Sequence, residues 1–305
     1  MSSTRGWRLP HTGTDPWRRG GSGRVRGGFR AVIAAAALAA SAVVLTTSIH
    51  AVPARARPVP PVGKTITTTF VLLQMNLCNS GMALSCYSFG KAVDEAVAKI
   101  RRYPPDLVTL QEVCRSDVYV RGGWGPLAKA MADLYGSDNV AVDFFPARNR
   151  YTNDGYRCVN GELYGVAVLH HFNGREVHGG WYDSQDPSDE MRAWTCTTVI
   201  TGRLTGCTTH LSIDNDVAVR QCHELMSILA SPWVMPEVIV AGDFNLTSQP
   251  GTPHDVQGCT LPTYDRRSDG ALQHVFFTRD IQWLQGRYEA MRWTDHPLLY
   301  QRFRV

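Results

Sequence analysis

Val238-Ile239-Val240-Ala241-Gly242-Asp243-Phe244-Asn245-Leu246-Thr247 is the stretch on which the fold turns. Four apolar residues in a row read as a strand covered on both faces. Gly242 lets the chain turn, and Asp243 and Asn245 then arrive two residues apart. A carboxylate and a carboxamide presented to one point can hold a cation-bound or transferring oxygen. Strand ends also carry Asp and Asn for turn chemistry, so the stretch gains meaning only from its surroundings.

Working outward, other apolar segments end in the same way. Phe70 to Met75 leads into Asn76, Leu107 to Leu110 into Gln111-Glu112, and the strand from Arg203 ends at His210. Leu163 to Leu169 is a buried strand preceded by Glu162, and Asp295-His296 comes just before a last strand over 298–305. Val140 to Phe145 and Leu272 to Thr278 are further strands. Between them, Ala92, Val93, Ala96, Val97 and Ile100 form one apolar helical stripe that Pro104 stops. Helices are also predicted over 126–135 and from a cap at Asp214 or Asn215 to about Leu229. Residues 78–88, 146–161 and 181–189 read as loops. Strands dominate, and hairpins coexist with crossovers. This predicts an α/β protein of two packed mixed β-sheets flanked by helices.

The N-terminal part is different. Residues 1–30 are rich in Arg and Gly, Ala31 to Ile49 is an uncharged apolar run, and Ala54-Arg55-Ala56 has the small-residue form of a cleavage site. That order predicts a signal peptide over 1–56, rather than an uncleaved anchor, then a Pro-rich linker over 57–68 and one domain over 69–305. The expected location is extracellular. The full chain is formally +4, but nine Arg and one Asp lie in its first 60 residues. Residues 61–305 therefore carry 22 basic and 26 acidic residues, a net −4. This excludes a global polycation that could grip nucleic acid by charge alone.

All eight cysteines lie beyond the leader, which in an exported protein suggests up to four disulfides. The absence of any CxxC argues against a thiolate zinc site. One pair follows from geometry. If 193–200 and 203–210 form a hairpin about Thr201-Gly202, Cys196 and Cys207 face each other. Cys78 and Cys86 would close a short loop.

Five strand ends carrying Asn, Glu, His or Asp form a plausible catalytic mouth. No GxSxG elbow and no HExxH motif occurs in the chain. Carboxylates and carboxamides are hard donors, suited to Mg²⁺ or Mn²⁺, and to Ca²⁺ as well, rather than zinc. An early strand ending in Asn, Leu110-Gln111-Glu112, Thr209-His210-Leu211, Gly242-Asp243-Phe244-Asn245 and Thr294-Asp295-His296 occur in that order. Together they resemble the endonuclease/exonuclease/phosphatase superfamily, which includes the deoxyribonuclease I-like nucleases.

The resemblance implies a four-layer α/β sandwich and a role for each matching residue. Glu112 resembles the metal-binding glutamate, with Asn76 beside it and Asp295 as a further metal-site carboxylate. His210 resembles a catalytic histidine, and Glu162 the glutamate that orients it. Asp243 resembles the water-activating carboxylate, Asn245 its phosphate- or metal-contacting neighbour, and His296 the second catalytic histidine. One position departs from the pattern. Gln273 stands where family members usually carry Asp, and an amide cannot hold charge or act as a base.

Several residues have plain structural readings. His170 and His171 sit at a strand end, and His223 is on a helix surface. Arg148, Arg150, Arg266 and Arg267 are loop charges that could border the mouth and meet phosphate, and Tyr151 or Tyr156 could stack on a base. The expectation is a secreted, monomeric, divalent-metal-dependent phosphodiesterase that cleaves nucleic acid, DNA first. The alternatives are a lipid phosphodiesterase of the sphingomyelinase kind, another phosphoesterase, or a binding protein without activity. A lipid enzyme would expose an apolar loop, for which Trp124 and Trp181-Tyr182 are the candidates.

Overall fold

The computed structural model describes residues 69–172, 175–199 and 203–305. The expected signal peptide, the Pro-rich linker and the Thr201-Gly202 turn lie outside the described residues. In chain order the main strands are β1 (Thr69–Asn76), β2 (Leu107–Cys114), β3 (Ala141–Pro146), β4 (Tyr164–His170), β5 (Arg175–Trp181) and β6 (Ala193–Val199). They continue with β7 (Leu204–His210), β8 (Glu237–Asp243), β9 (Tyr264–Ser268), β10 (Gln273–Thr278), β11 (Gln282–Glu289) and β12 (Leu298–Arg304). They form two sheets, ordered β11-β12-β1-β2-β4-β3 and β9-β10-β8-β7-β6-β5. In each sheet the central pair is parallel, β1 with β2 and β7 with β8, and every other neighbour is antiparallel.

The layers follow from which faces are apolar. Leu72, Leu107 and Val168 from one sheet meet Leu204, Ile239 and Phe277 from the other, so the central strands are covered on both sides. Helices α1 (Lys91–Arg102) and α2 (Pro126–Tyr135) cover the outer face of the first sheet, and α3 (Asn215–Leu229) covers that of the second. The α1 stripe is buried at Ala92, Val93, Ala96 and Ile100. Each large aliphatic side chain so buried contributes about 2 kcal/mol of transfer free energy. Asp214 caps α3, its carboxylate accepting from the Val217 N–H at 3.0 Å. The expected two-sheet sandwich is therefore the fold.

Strands β5, β9 and β11 go beyond the sequence reading. All are near or at sheet edges and are held by backbone pairing, and β11 is largely exposed. An edge strand with two wet faces shows no alternation to read. In β5, Gly179 is required by close approach, since a Cβ there would lie 2.4 Å from the Phe145 ring. The cysteines form four disulfides, Cys78–Cys86, Cys114–Cys158, Cys196–Cys207 and Cys222–Cys259. Cys196 and Cys207 are direct partners in the β6–β7 ladder. Among the described residues no helix is long and apolar enough to cross a membrane.

Candidate active site

The two parallel pairs bring four strand ends to one rim. Asn76 and Glu112 come from β1 and β2, and His210 and Asp243, register partners, from β7 and β8. A cleft of about 480 Å³ opens there, lined by Glu112, Glu190, Arg192, His210, Asp243, Asn245, Asp269, Asp295 and His296. Strand ends from both sheets are needed to build it.

Glu112 reaches the cleft through a bulge. The β2–β4 register jumps between Leu110 and Val113, and Glu112 has φ 54°. One extra residue re-aims the side chain out of strand alternation. Gly242 does not make a turn. It is still paired in β8, opposite Thr209, and a Cβ on it would lie 2.2 Å from the Thr209 carbonyl oxygen. The turn comes later, at Asn245, with φ 50°.

Asp243 is the hub. Its Oδ2 accepts from Asn76 Nδ2 at 2.9 Å, lies 3.4 Å from His296 Nε2 and 3.9 Å from His210 Nε2, and its Oδ1 accepts from the Asn245 N–H. Asn76 Nδ2 also donates to Glu112 Oε1 at 3.0 Å. The Asn76 amide oxygen accepts from the Cys78 N–H at 3.0 Å. A backbone N–H can only donate, which fixes the amide: its NH₂ faces the two carboxylates. Asn76 therefore clips Glu112 to Asp243 rather than presenting an oxygen to a cation, as the resemblance had implied. Asn245 donates through Nδ2 to the Leu211 carbonyl.

The orienting partner of His210 is not Glu162. Cys158 N–H donates to the Glu162 carbonyl, closing a turn that leaves the Glu162 side chain near Asp117, outside the cleft. Arg192 contacts His210 instead, with Nη1 2.8 Å from Nδ1, and Glu190 holds Arg192 at 3.2 Å. Tyr164 Oη stands 3.5 Å from His210 Nδ1. Neither Glu190 nor Arg192 was a sequence candidate. Their signal was present, since residues two apart entering a strand share a face. Asp269 is a further carboxylate on the wall that the sequence reading passed over.

Burial sets the ionisation of the site. It pushes the Glu112 carboxyl up to about 7, against the opposing Asn76 hydrogen bond. It raises the Asp243 carboxyl as well, with His296 acting the other way. Burial, then the Arg192 charge, hold the His210 imidazole well below its usual range, so it is neutral. Asp295 is more exposed and lies 3.6 Å from His296 Nε2.

Gln273 belongs to a neutral ladder beneath the cleft. It accepts from Gln74 Nε2 at 3.1 Å, and its own Nε2 donates to the Pro297 carbonyl at 2.6 Å, the residue after His296. Gln111, joined to Gln74, continues the ladder to Thr208 on the opposite sheet. The other flagged residues are structural. His170 pairs with Asp143 between the sheets, and His171 pairs with Asp106. Arg148 donates to the Asn153 carbonyl of its own loop, Arg150 to the Ser188 and Asp186 carbonyls of the facing loop over 181–189, and Arg266 to Gln257, Ser248 and His274. Tyr182 is buried against Thr209, and Tyr156 lines the cleft while Tyr151 is exposed outside it.

The donor set suits a hard divalent cation. Burial raises the carboxyls of both Glu112 and Asp243, and the Asp243 charge adds to the rise at Glu112. Glu190, Asp269 and Asp295 line the same space with Arg192 as the one Lys or Arg among the described lining residues. Uncompensated buried carboxylates favour a cation between them.

The sequence matches the family model described as Endonuclease/Exonuclease/phosphatase family over residues 82–299. Among curated proteins no sequence matches it. Solved structures with the same fold include ANGEL2, a 2',3'-cyclic phosphatase, in complex with adenosine-2',3'-vanadate, at 12% identity, covering 78% of this chain and 96% of that one, with a TM-score of 0.54. The human Nocturnin catalytic domain with bound sulfate anion is 14% identical over 79% of this chain and 97% of its own, with a TM-score of 0.53. D. rerio TDP2 complexed with single strand DNA product is 13% identical over 78% and 100%, with a TM-score of 0.51. The chain is a member of the endonuclease/exonuclease/phosphatase family.

Proposed function

We propose that this protein is a divalent-metal-dependent phosphodiester hydrolase. The observation that carries the reading is Asp243 Oδ2, held by Asn76 and within 3.4 Å of His296 and 3.9 Å of His210. Glu112 and Asp295 would hold Mg²⁺ or Mn²⁺, which supplies charge stabilisation at phosphorus when bound. Asp243 orients the attacking water and takes its proton as the new P–O bond forms. His296 gives the departing oxygen a proton. His210 stays neutral under Arg192, its lone pair turned to the guanidinium and its remaining N–H donating to the phosphate, while Asn245 and Arg192 contact the phosphoryl oxygens.

Nucleic acid, DNA first, is the substrate suggested by TDP2 with its DNA product and by ANGEL2 with a nucleotide analogue. A second reading, a lipid phosphodiester, is favoured by the scarcity of cations at the cleft. Export with removal of residues 1–56 completes the proposal. Four disulfides support an oxidising destination, and a monomer is expected there.

The test is hydrolysis of bis(p-nitrophenyl) phosphate and of supercoiled plasmid with Mg²⁺, alongside EDTA and His210→Ala controls. Turnover of the soluble ester that both controls abolish supports the reading, and plasmid nicking adds the nuclease. A folded protein that hydrolyses neither, nor any phosphomonoester, sinks it and leaves a binding protein.

A further inference from the structure

The loop after β1 is built in an unusual way. Residues 77–90 contain neither helix nor strand, yet the loop is firmly tied. Cys78–Cys86 closes it, the Cys86 and Tyr87 N–H groups donate to the Ala83 carbonyl, and the Val159 N–H donates to the Ser80 carbonyl at 2.9 Å. What this frame holds out is apolar. Met82 is 54% exposed, Leu84 84% and Phe89 83%. Phe89 has φ 55°, a region that bulky residues avoid. Its backbone accepts that cost while the ring stays in solvent beside Tyr87, at 4.8 Å. Met82 and Ala83 line the catalytic cleft, and Ile213, 75% exposed, lines it from the loop after β7. Apolar side chains fixed outward around a cleft mark a contact surface.

Charge selects the partner. Glu112, Glu190, Asp243, Asp269 and Asp295 face the cleft against Arg192. The neighbouring cations are engaged: Arg148 and Arg150 on loop carbonyls, and Lys91 and Arg292 on the Trp293 ring. A polyanion needs a track of available Lys and Arg. A zwitterionic bilayer needs apolar insertion and no net positive charge.

We propose that the cystine-closed loop 78–89, with Ile213, seats the cleft on a zwitterionic phospholipid surface, and that the ester taken there is a lipid headgroup phosphodiester. This rests on the phosphodiesterase reading above and takes its second substrate, the lipid phosphodiester, over nucleic acid. The loop supplies depth and orientation, placing headgroup phosphorus level with Asp243 and His296, and the acyl chains stay in the bilayer.

The test uses the full chain with phosphatidylcholine vesicles and reads hydrogen–deuterium exchange of the peptide covering 78–89, a local signal to which the N-terminal region does not contribute. Vesicles are expected to protect this peptide. Leu84→Asp with Phe89→Asp is expected to remove the protection and to lower vesicle-lipid hydrolysis about tenfold or more, while hydrolysis of soluble bis(p-nitrophenyl) phosphate is unchanged. Exchange that vesicles do not alter overturns the inference, as does a double variant that hydrolyses vesicle lipid like the wild type. Protection by a single-stranded oligonucleotide and not by vesicles would make the loop a nucleic-acid contact and end the lipid proposal. Vesicle protection without hydrolysis of any ester would remove the phosphodiesterase reading, and with it the headgroup substrate. Hydrolysis of the soluble ester without vesicle protection would remove only the membrane proposal.

Discussion

Arg192 Nη1 lies 2.8 Å from His210 Nδ1. A guanidinium has donors and no acceptor, so the ring nitrogen it meets must offer a lone pair. The pair therefore keeps one histidine of the cleft neutral, while Glu190, 3.2 Å from the same Nη1, balances the cation.

Arg192→Met should release that constraint. The His210 imidazole is expected to rise while burial, the larger cause, still holds it below its usual range, read by imidazole proton NMR. Loss of the guanidinium should also lower kcat/KM by about 10²-fold. A titration that does not move would show that Arg192 leaves the protonation state of His210 to burial alone.

Metal binding should carry a proton. With its carboxyl pushed up to about 7, Glu112 is protonated below that pH in the cation-free protein. Binding must displace the proton, so affinity falls as pH falls through 7, by about tenfold per unit. Calorimetry in buffers of different ionisation enthalpy should find proton release at pH 6 that fades by pH 8. Equal affinity at both values would contradict the buried-carboxylate account.

Asp117 offers a stability test away from the cleft. Its Oδ2 accepts from both Asn79 Nδ2 and the Cys114 N–H, yet burial pushes its carboxyl up to about 6. Its ordinary value is 3.8. Between these values the folded protein binds more protons than the unfolded chain, so stability decreases as pH rises from 3.8 to about 6 and is then level. Asp117→Asn can keep both bonds through its amide oxygen while losing the charge. It is expected to gain on the order of 2 kcal/mol at pH 7 and little at pH 4, measured by urea unfolding.

Gly242→Ala tests the close approach of β7 and β8. The added methyl would meet the Thr209 carbonyl oxygen at 2.2 Å, so the strands must part beside His210 and Asp243. A loss of about 1–3 kcal/mol is expected, with turnover falling more than tenfold. A variant that keeps wild-type stability and rate would show that this approach has slack.

The central strands were legible because they are apolar on both faces, and their ends were legible because polar residues interrupt that pattern. Asn76, Glu112, His210, Asp243, Asn245, Asp295 and His296 do converge on one cleft. Glu162 was misplaced because a residue one turn before a strand can face either way, and the Cys158–Glu162 turn sends it toward Asp117. The direction of the Asn76 amide depends on the Cys78 N–H, which no pattern of residue types reveals. Edge strands β9 and β11 left no apolar signature, and Arg192 gained its meaning only when β6 brought it against His210. Gln273 read as a lost charge, whereas the fold uses it as a neutral link to the Pro297 carbonyl.

The parallel pair at the centre of each sheet has a mechanical consequence. Each body carries half of the reactive groups, so turnover depends on how the two are aligned as well as on either being intact. Gly206, four residues before His210, lies where a Cβ would come within 2.9 Å of Leu107 Cδ2 on the opposite sheet. A methyl group added at that point, or hydrostatic pressure on the intervening packing, would slide one half-site past the other. Rate would then be lost while both sheets stayed folded, as a vernier loses its reading when its scales slip.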